Sequence, residues 1–262
     1  MQMTFWGVRG SIPTPMPPDE LESKIAQILV EASGRTFLNA REAASFLRGL
    51  PPLQGGTAGG NTACLEAQSG EDSLIIDAGS GLRELGRNLM GNGFVEHKPP
   101  IHILMSHTHW DHICAFPFFT PVYIPGASIT IYGCHDELEA RFRNQNHPYN
   151  FPVLFENMAA KLTFVQLETD KPVDINGFQV TAHPMHHPGD SYAYKLERDG
   201  KVFVYATDAS YNDLTPEAMS EFLEFYRGAD ALVFDAHFDD LIESFEKSDW
   251  GHSSPFIGVE WP

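Results

Sequence analysis

The chain is poor in cysteine: Cys64, Cys114 and Cys134 are the only thiols among 262 residues. An odd, widely spaced set argues against a disulfide framework and points to a reducing, cytoplasmic compartment. Positive charge is scarce as well, with 17 Lys and Arg against 35 Asp and Glu, a formal net charge of -18. Polymer phosphates are gripped by clustered basic side chains, so a long nucleic-acid partner is disfavoured and a small-molecule substrate is expected. No apolar run reaches the length of a membrane span. Residues 1–6 lack the basic and apolar segments of a secretory leader, and no membrane partner is expected. Internal repeats and low-complexity linkers are missing too, so residues 1–262 read as a single domain.

What is present is a mixed pattern of strands and helices. Residues 3–10 read as a short strand ending at glycines, followed by a proline-rich turn through Pro18. Apolar residues at positions 21, 25, 28 and 29 have helical spacing, and residues 40–47 suggest a second, shorter helix. Together they form a helical insertion over 19–55, which is either a packing hairpin or a lid over a site. Strand-type runs then recur at 62–67, 73–77, 101–106, 128–132, 162–166, 178–183, 192–197, 202–207 and 231–235. Helical stretches fall at 82–90, 136–144 and 216–226. Arg198-Asp199-Gly200 joins two strands as a hairpin. Hairpins mixed with helical connections predict an α/β (α+β) arrangement of two mixed sheets covered by helices.

The chemistry-bearing stretch is His107-Thr108-His109-Trp110-Asp111-His112, directly after the apolar run 101–105. Residues i and i+2 share a face of an extended chain, so His107 and His109 are placed to grip one ion. Asp111 and His112 follow as the chain turns and are placed to face a second. Imidazole and carboxylate suit zinc and its first-row neighbours. Histidines also cluster by chance, but this spacing just after a strand argues for a metal site.

Other strand ends supply further donors. His183, His186 and His187 end the strand near 183, and any of them can add a third imidazole. Asp208 lies just past the strand 202–207, where it can bridge two ions; Asp77, Asp235 and His237 end two more strands, and His252 sits in a small-residue loop. A single aspartate after a strand is more often a cap or turn residue; four such strand ends together make a stronger pattern. Cys114 is close enough in sequence to ligate a soft metal, although a buried apolar thiol is the commoner role.

These landmarks resemble the metallo-β-lactamase fold hydrolases. Within them the chain is similar to the branch of cyclic-nucleotide phosphodiesterases, phosphoribosyl cyclic phosphodiesterases and ribonuclease Z. The matching segments are Phe5-Trp6-Gly7-Val8-Arg9-Gly10-Ser11-Ile12-Pro13, Gly59-Gly60-Asn61-Thr62 and Ile76-Asp77-Ala78-Gly79-Ser80-Gly81. The remainder are the histidine hexapeptide with Ser106, then His187-Pro188-Gly189, Ala206-Thr207-Asp208 and Gly251-His252-Ser253. The resemblance implies a four-layer αββα sandwich with the metal site at one edge. It assigns His107, His109 and His187 to one ion, Asp111 and His112 to the other, and Asp208 to the bridge. Asp77 would hydrogen-bond a ligand histidine and hold its tautomer, and His252 would orient the phosphate or protonate the leaving group. The family's last histidine, well beyond the Gly-His-Ser motif, has no counterpart before Pro262. The second site is therefore expected to be weaker, unless His237, His252, His186, a partner subunit or solvent substitutes. Glu260-Trp261-Pro262 suggests a homodimer with exchanged terminal segments.

The implied function is a metal-dependent hydrolase cleaving a phosphodiester, small or cyclic, with Asp111, Asp208 and His252 in the catalytic machinery. Its cofactors are two divalent ions, zinc first, with Mn2+ and Fe2+ also suited. Two such ions, roughly 3.5–4 Å apart, would activate water for attack on phosphorus. The rival readings are a lactamase, lactonase or carboxylesterase using the same site, and a non-catalytic ligand-binding protein on the fold.

Overall fold

Why the chain folds as two sheets is visible in the alternation along its strands. In the computed structural model, which describes residues 1–260, the elements run in this order. Strand β1 (Gln2–Gly7) precedes helices α1 (Pro18–Glu31), α2 (Ala40–Gly49) and α3 (Pro52–Gly55). Then come β2 (Cys64–Ser69), β3 (Asp72–Ile76), α4 (Gly81–Gly91), α5 (Phe94–His97), β4 (Ile101–Leu104) and α6 (Trp110–Ile113). The middle of the chain holds β5 (Ser128–Gly133), α7 (Leu138–Gln145), β6 (Lys161–Gln166), β7 (Val173–Ile175), β8 (Phe178–Met185), β9 (Ser191–Arg198) and β10 (Lys201–Ala206). Helix α8 (Pro216–Tyr226), β11 (Ala231–Phe234), α9 (Leu241–Glu246) and α10 (Pro255–Glu260) close the described chain.

The six strands β1–β6 form one sheet in sequence order, and β11-β10-β9-β8-β7 form the second. Each sheet is mixed, with parallel pairs β3–β4, β4–β5 and β5–β6 in the first and β10–β11 in the second. On β10, Phe203 and Tyr205 face the first sheet, while Val204 and Ala206 face Met219, Phe222, Phe225 and Tyr226 around α8. Leu65, Ala67, Leu74, Ile76 and Leu104 meet Phe178, Val180, Tyr194 and Leu196 between the sheets. On the outer face of the first sheet, Ile101, Ile103, Ile129 and Ile131 pack against Leu82, Leu85 and Phe142 of α4 and α7. Three apolar layers between four layers of elements make the αββα sandwich. Each fully buried Leu, Ile or Phe contributes roughly 1.5–3 kcal/mol to that association.

Several boundaries differ from the sequence pattern for identifiable reasons. The strand predicted at 62–67 forms at Cys64–Ser69 because Thr62 is tied instead to Ser80, accepting from its N–H at 2.8 Å and donating its own to Ser80 Oγ at 2.9 Å. Strand β8 continues past His183 through Pro184: on the side away from β9 it pairs with β7 at residues 178–180 and with Thr169 at Ala182, and among the described residues no strand pairs with Pro184 on that side, where a ring nitrogen without a proton is tolerated. Asp199 and Gly200, both at positive φ, form the two-residue turn between β9 and β10, the backbone that a twisted hairpin demands. The insertion is helical as expected, but α1 buries no residue and leaves Leu21, Ile25, Leu29 and Val30 exposed. It is tied to α3 by a bond from Lys24 Nζ to the Leu53 carbonyl. The segment through Trp261 and Pro262, on which exchange between subunits was expected, runs outside the described residues. Among the described residues, no helix is long and apolar enough to cross a membrane.

Candidate metal centre

Five strands drawn from both sheets end at one edge of the sandwich, and each is followed within three residues by a histidine or aspartate. Asp77 follows β3, His107 follows β4, His187 follows β8, Asp208 follows β10, and Asp235 follows β11. The sheets are stitched together here: Tyr194 donates to the Met105 carbonyl at 2.7 Å and the Tyr192 N–H to the Ser106 carbonyl at 2.9 Å.

Asp77 is the buried base of the centre. Its Oδ1 accepts the Ser106 N–H at 2.8 Å, and its Oδ2 accepts Ser106 Oγ at 2.7 Å and Tyr205 Oη at 2.9 Å. The same Oδ2 lies 2.7 Å from His112 Nδ1. A ring that donates from Nδ1 presents its Nε2 lone pair inward, 3.5 Å from Asp208 and 3.6 Å from Asp111. Burial disfavours the charged ring, yet Asp77 and Asp208 beside it raise the His112 pKa well above its ordinary value. His107 is fully buried, and burial, aided by the neighbouring imidazoles, drives its pKa well below the ordinary value. Its Nε2 has no hydrogen-bond partner and lies 3.5 Å from Asp208. His187 Nδ1 lies 2.8 Å from the Gly251 carbonyl, which leaves Nε2 facing His109 Nδ1 at 3.0 Å. Gly251 sits at positive φ, and a Cβ there would meet Pro188 Cδ at 2.3 Å and His187 Nδ1 at 2.6 Å. Only glycine brings that carbonyl to the ring.

Three donor groups result, each with its atoms within 4.8 Å of one another: His107, His109 and His187; His107, His112 and Asp208; and His187, Asp208 and His252. Asp208 belongs to two of them, as a carboxylate between two ions would. Its own burial opposes ionisation, but His112, His107 and His252 hold its pKa well below the usual carboxylate range. Inward lone pairs, outer nitrogens satisfied by Asp77 and by Gly251, and an orphaned buried Nε2 on His107 fit divalent metal binding.

The remaining predicted residues divide clearly. Asp111 lies outside the three donor groups; its Oδ2 accepts the Ser11 N–H at 2.8 Å. Ring packing takes His183 and His186 away: His183 bonds Asp170 at 2.8 Å and stacks on Phe225, and His186 packs on Phe222. His237 stacks on His252 with centroids 4.2 Å apart, outside the donor groups. Cys114 lies 3.8 Å from Thr62 Oγ1, and burial raises its thiol pKa. The sequence pattern missed the role of Asp235, which accepts from the N–H groups of Ala209, His237 and Ser253 and lies 2.8 Å from His252 Nδ1. Its position after a strand, like that of Asp77, was the available signal. Burial opposes the charged form of His252, but the bond to Asp235 and the charges of Asp235, Asp208 and Asp111 raise its pKa. A cavity of about 200 Å³ opens beside the centre, lined by Arg9, His112, Asp208, Asp235, His237 and His252 among others.

An αββα sandwich carrying histidine and carboxylate donors at one edge between its sheets defines the metallo-β-lactamase fold, a class of metal-binding hydrolases. The chain belongs to the beta-lactamase superfamily, whose domain model matches residues 73–261. Among solved structures, the metallo-beta-lactamase fold protein YhfI from Bacillus subtilis is similar at 25% identity and a TM-score of 0.55, over 75% of this chain and 71% of that one. The short form of human tRNase Z is similar at 16% identity and a TM-score of 0.60, over 100% and 87%. A diphosphatase from the PhnP family is similar at 19% identity and a TM-score of 0.52, over 76% and 67%. No curated protein matches the chain significantly.

Proposed function

We propose that the protein is a metal-dependent hydrolase acting on a small or cyclic phosphodiester. The observation that carries this reading is the convergence of the three donor groups, which share His107, Asp208 and His187. His107, His109 and His187 would hold one ion and His112 the other, with Asp208 between them; Asp111, outside the three groups, has its Oδ2 3.6 Å from His112 Nε2 and would join the second ion from there. Zinc suits this donor set, as do manganese and iron. When bound, such ions supply Lewis-acid polarisation of a phosphoryl oxygen and activation of water at neutral pH. The chain does the rest. Asp77 and the Gly251 carbonyl hold the donor rings in one tautomer. Asp235 fixes His252 through Nδ1 and leaves Nε2 free to hydrogen-bond a phosphate oxygen or pass a proton to the leaving oxygen. The order of the landmarks along the chain favours a phosphodiester over a carbonyl substrate. The names of two fold neighbours, a tRNase Z and a diphosphatase, support the same choice. The small cavity and the charge of -18 favour a small substrate over a long polyanion. Three free cysteines accord with a reducing, cytoplasmic setting.

The metal-loaded protein is expected to hydrolyse bis(4-nitrophenyl) phosphate with a kcat/KM at least about tenfold above that for nitrocefin or 4-nitrophenyl acetate, a preference of about 1.4 kcal/mol. Chelation should abolish turnover and re-addition of zinc or manganese restore it. Faster cleavage of nitrocefin or of the ester would transfer the centre to carbonyl chemistry, and metal-loaded protein inert towards all three would favour a binding protein.

His252→Ala should lower kcat roughly 100-fold, the scale of a lost proton donor, while bound metal per chain stays constant. Loss of metal from that variant, measured by elemental analysis, would instead make His252 a ligand.

A further inference from the structure

The three donor groups contain five imidazoles, and four of them have Nδ1 fixed by a protein oxygen. In His107, His112, His187 and His252 that nitrogen lies 3.2, 2.7, 2.8 and 2.8 Å from Ser106 Oγ, Asp77 Oδ2, the Gly251 carbonyl and Asp235 Oδ2. His109 differs. It turns Nδ1 inward, 3.0 Å from His187 Nε2, and among the described residues nothing hydrogen-bonds its Nε2. The residue is exposed, so no enclosing core holds the ring. What backs it is the loop after His187: a Cβ on Gly189 would lie 3.0 Å from His109 Nε2. The orientation of this donor therefore depends on where that loop sits.

The loop is held from α7. Leu138 and Phe142, four residues apart, anchor that helix in the outer apolar layer, and Arg141 and Gln145 share a neighbouring face at the same spacing. Arg141 Nη1 donates to Thr108 Oγ1 at 3.0 Å, between His107 and His109, while Nη2 lies 3.6 Å from Asp190 Oδ2. One guanidinium thus joins the segment carrying two donors to the loop carrying a third. Gln145 Nε2 donates to the Ile113 carbonyl at 2.7 Å, which fastens α7 to the helix bearing His112. The Asp190 carbonyl lies 2.8 Å from Nε2 of His135, a buried residue just past β5. A carbonyl only accepts, so that ring carries its proton on Nε2. The Asp190 carboxylate is largely exposed, and an exposed ion pair adds little stability. Its contribution is register, because a planar fork fixed at two points defines where both segments lie.

We propose that Arg141 is a positioning residue for the ion held by His107, His109 and His187. By tying Thr108 to Asp190 it seats Gly189 against His109 and keeps Nδ1 of that ring turned towards His187. The inference rests on the metal-centre reading and deepens it. Loss of Arg141 frees His109, whereas His112 keeps its own partner in Asp77.

The test is zinc affinity of the full chain, measured by equilibrium dialysis against buffered zinc. Arg141→Ala should weaken the binding about 10–100-fold, the scale of losing a residue that orients a ligand. Arg141→Lys should weaken it less, since an ammonium reaches one of the two oxygens without the fork. Asp190→Gly suits the left-handed backbone at φ 65 and removes the carboxylate. Combined with Arg141→Ala it should add no further loss, because both changes break one bridge. Arg143→Ala breaks exposed ion pairs with Glu139 and Glu156, about 200° round the same helix, and should leave the affinity intact. Thermal unfolding of the metal-free variants separates folding from positioning. If Arg141→Ala does not fold, Thr108→Val makes the comparison, with an expected loss of about fivefold for one hydrogen bond. A lowered Tm with unaltered zinc affinity overturns the proposal, as do losses that multiply in the double variant or an equal loss in Arg143→Ala. An unaltered protein that binds no zinc overturns the metal centre itself, and the proposal with it.

Discussion

His107→Ala should empty the centre and cut kcat/KM on a phosphodiester by roughly 10³–10⁴-fold, the several kcal/mol that bound metal supplies. The residue is chosen because it belongs to two of the three donor groups, so one truncation strips both of an imidazole. Bound metal per chain, read by elemental analysis, should fall with activity. The fold itself should persist, because the buried His107 Nε2 has no protein partner to lose. Thermal unfolding provides the internal control. Chelation should lower the Tm of the unaltered protein, since a ligand at 100 times its Kd stabilises by about 2.7 kcal/mol, and should leave the variant unmoved. Retained metal with retained turnover would remove His107 from the centre.

Asp77 separates folding from metal binding. Asp77→Ala should destabilise the protein by about 3–5 kcal/mol, because Ser106, His112 and Tyr205 all lose a buried acceptor. For a chain of this size that lowers Tm by about 10 °C. Position 77 lies at φ 64, a left-handed backbone that Asn tolerates and Ala does not favour. Asp77→Asn should therefore fold closer to normal while losing control of the His112 tautomer, with metal affinity down about 10–100-fold. Equilibrium dialysis against a metal buffer reads the second effect, and calorimetric unfolding reads the first. An Asn variant with unaltered metal affinity would show that Asp77 serves the fold alone.

How much of this was legible in the sequence follows from the range of each interaction. The hexapeptide from His107 to His112 is local, and period-two alternation in the strands shows both sheets, so sandwich and donor types are readable. The choice among His183, His186 and His187 is not, because it depends on how far β8 continues and on which rings Phe222 and Phe225 take. The three-residue β7 is too short to leave a periodic signal. Asp235 resembles any aspartate after a strand; its bond to His252, 17 residues on, exists only once the loop has folded back. Local pattern shows which chemistry is present, whereas returning loops decide which residues hold it.

The helical insertion, with an α1 that buries none of its side chains, contributes no donor atom to the centre. Every donor instead lies after a strand of the sandwich or, for His252, between α9 and α10. The residues that would hold the ions are therefore built without the insertion, and a change of sequence within the insertion leaves every donor in place.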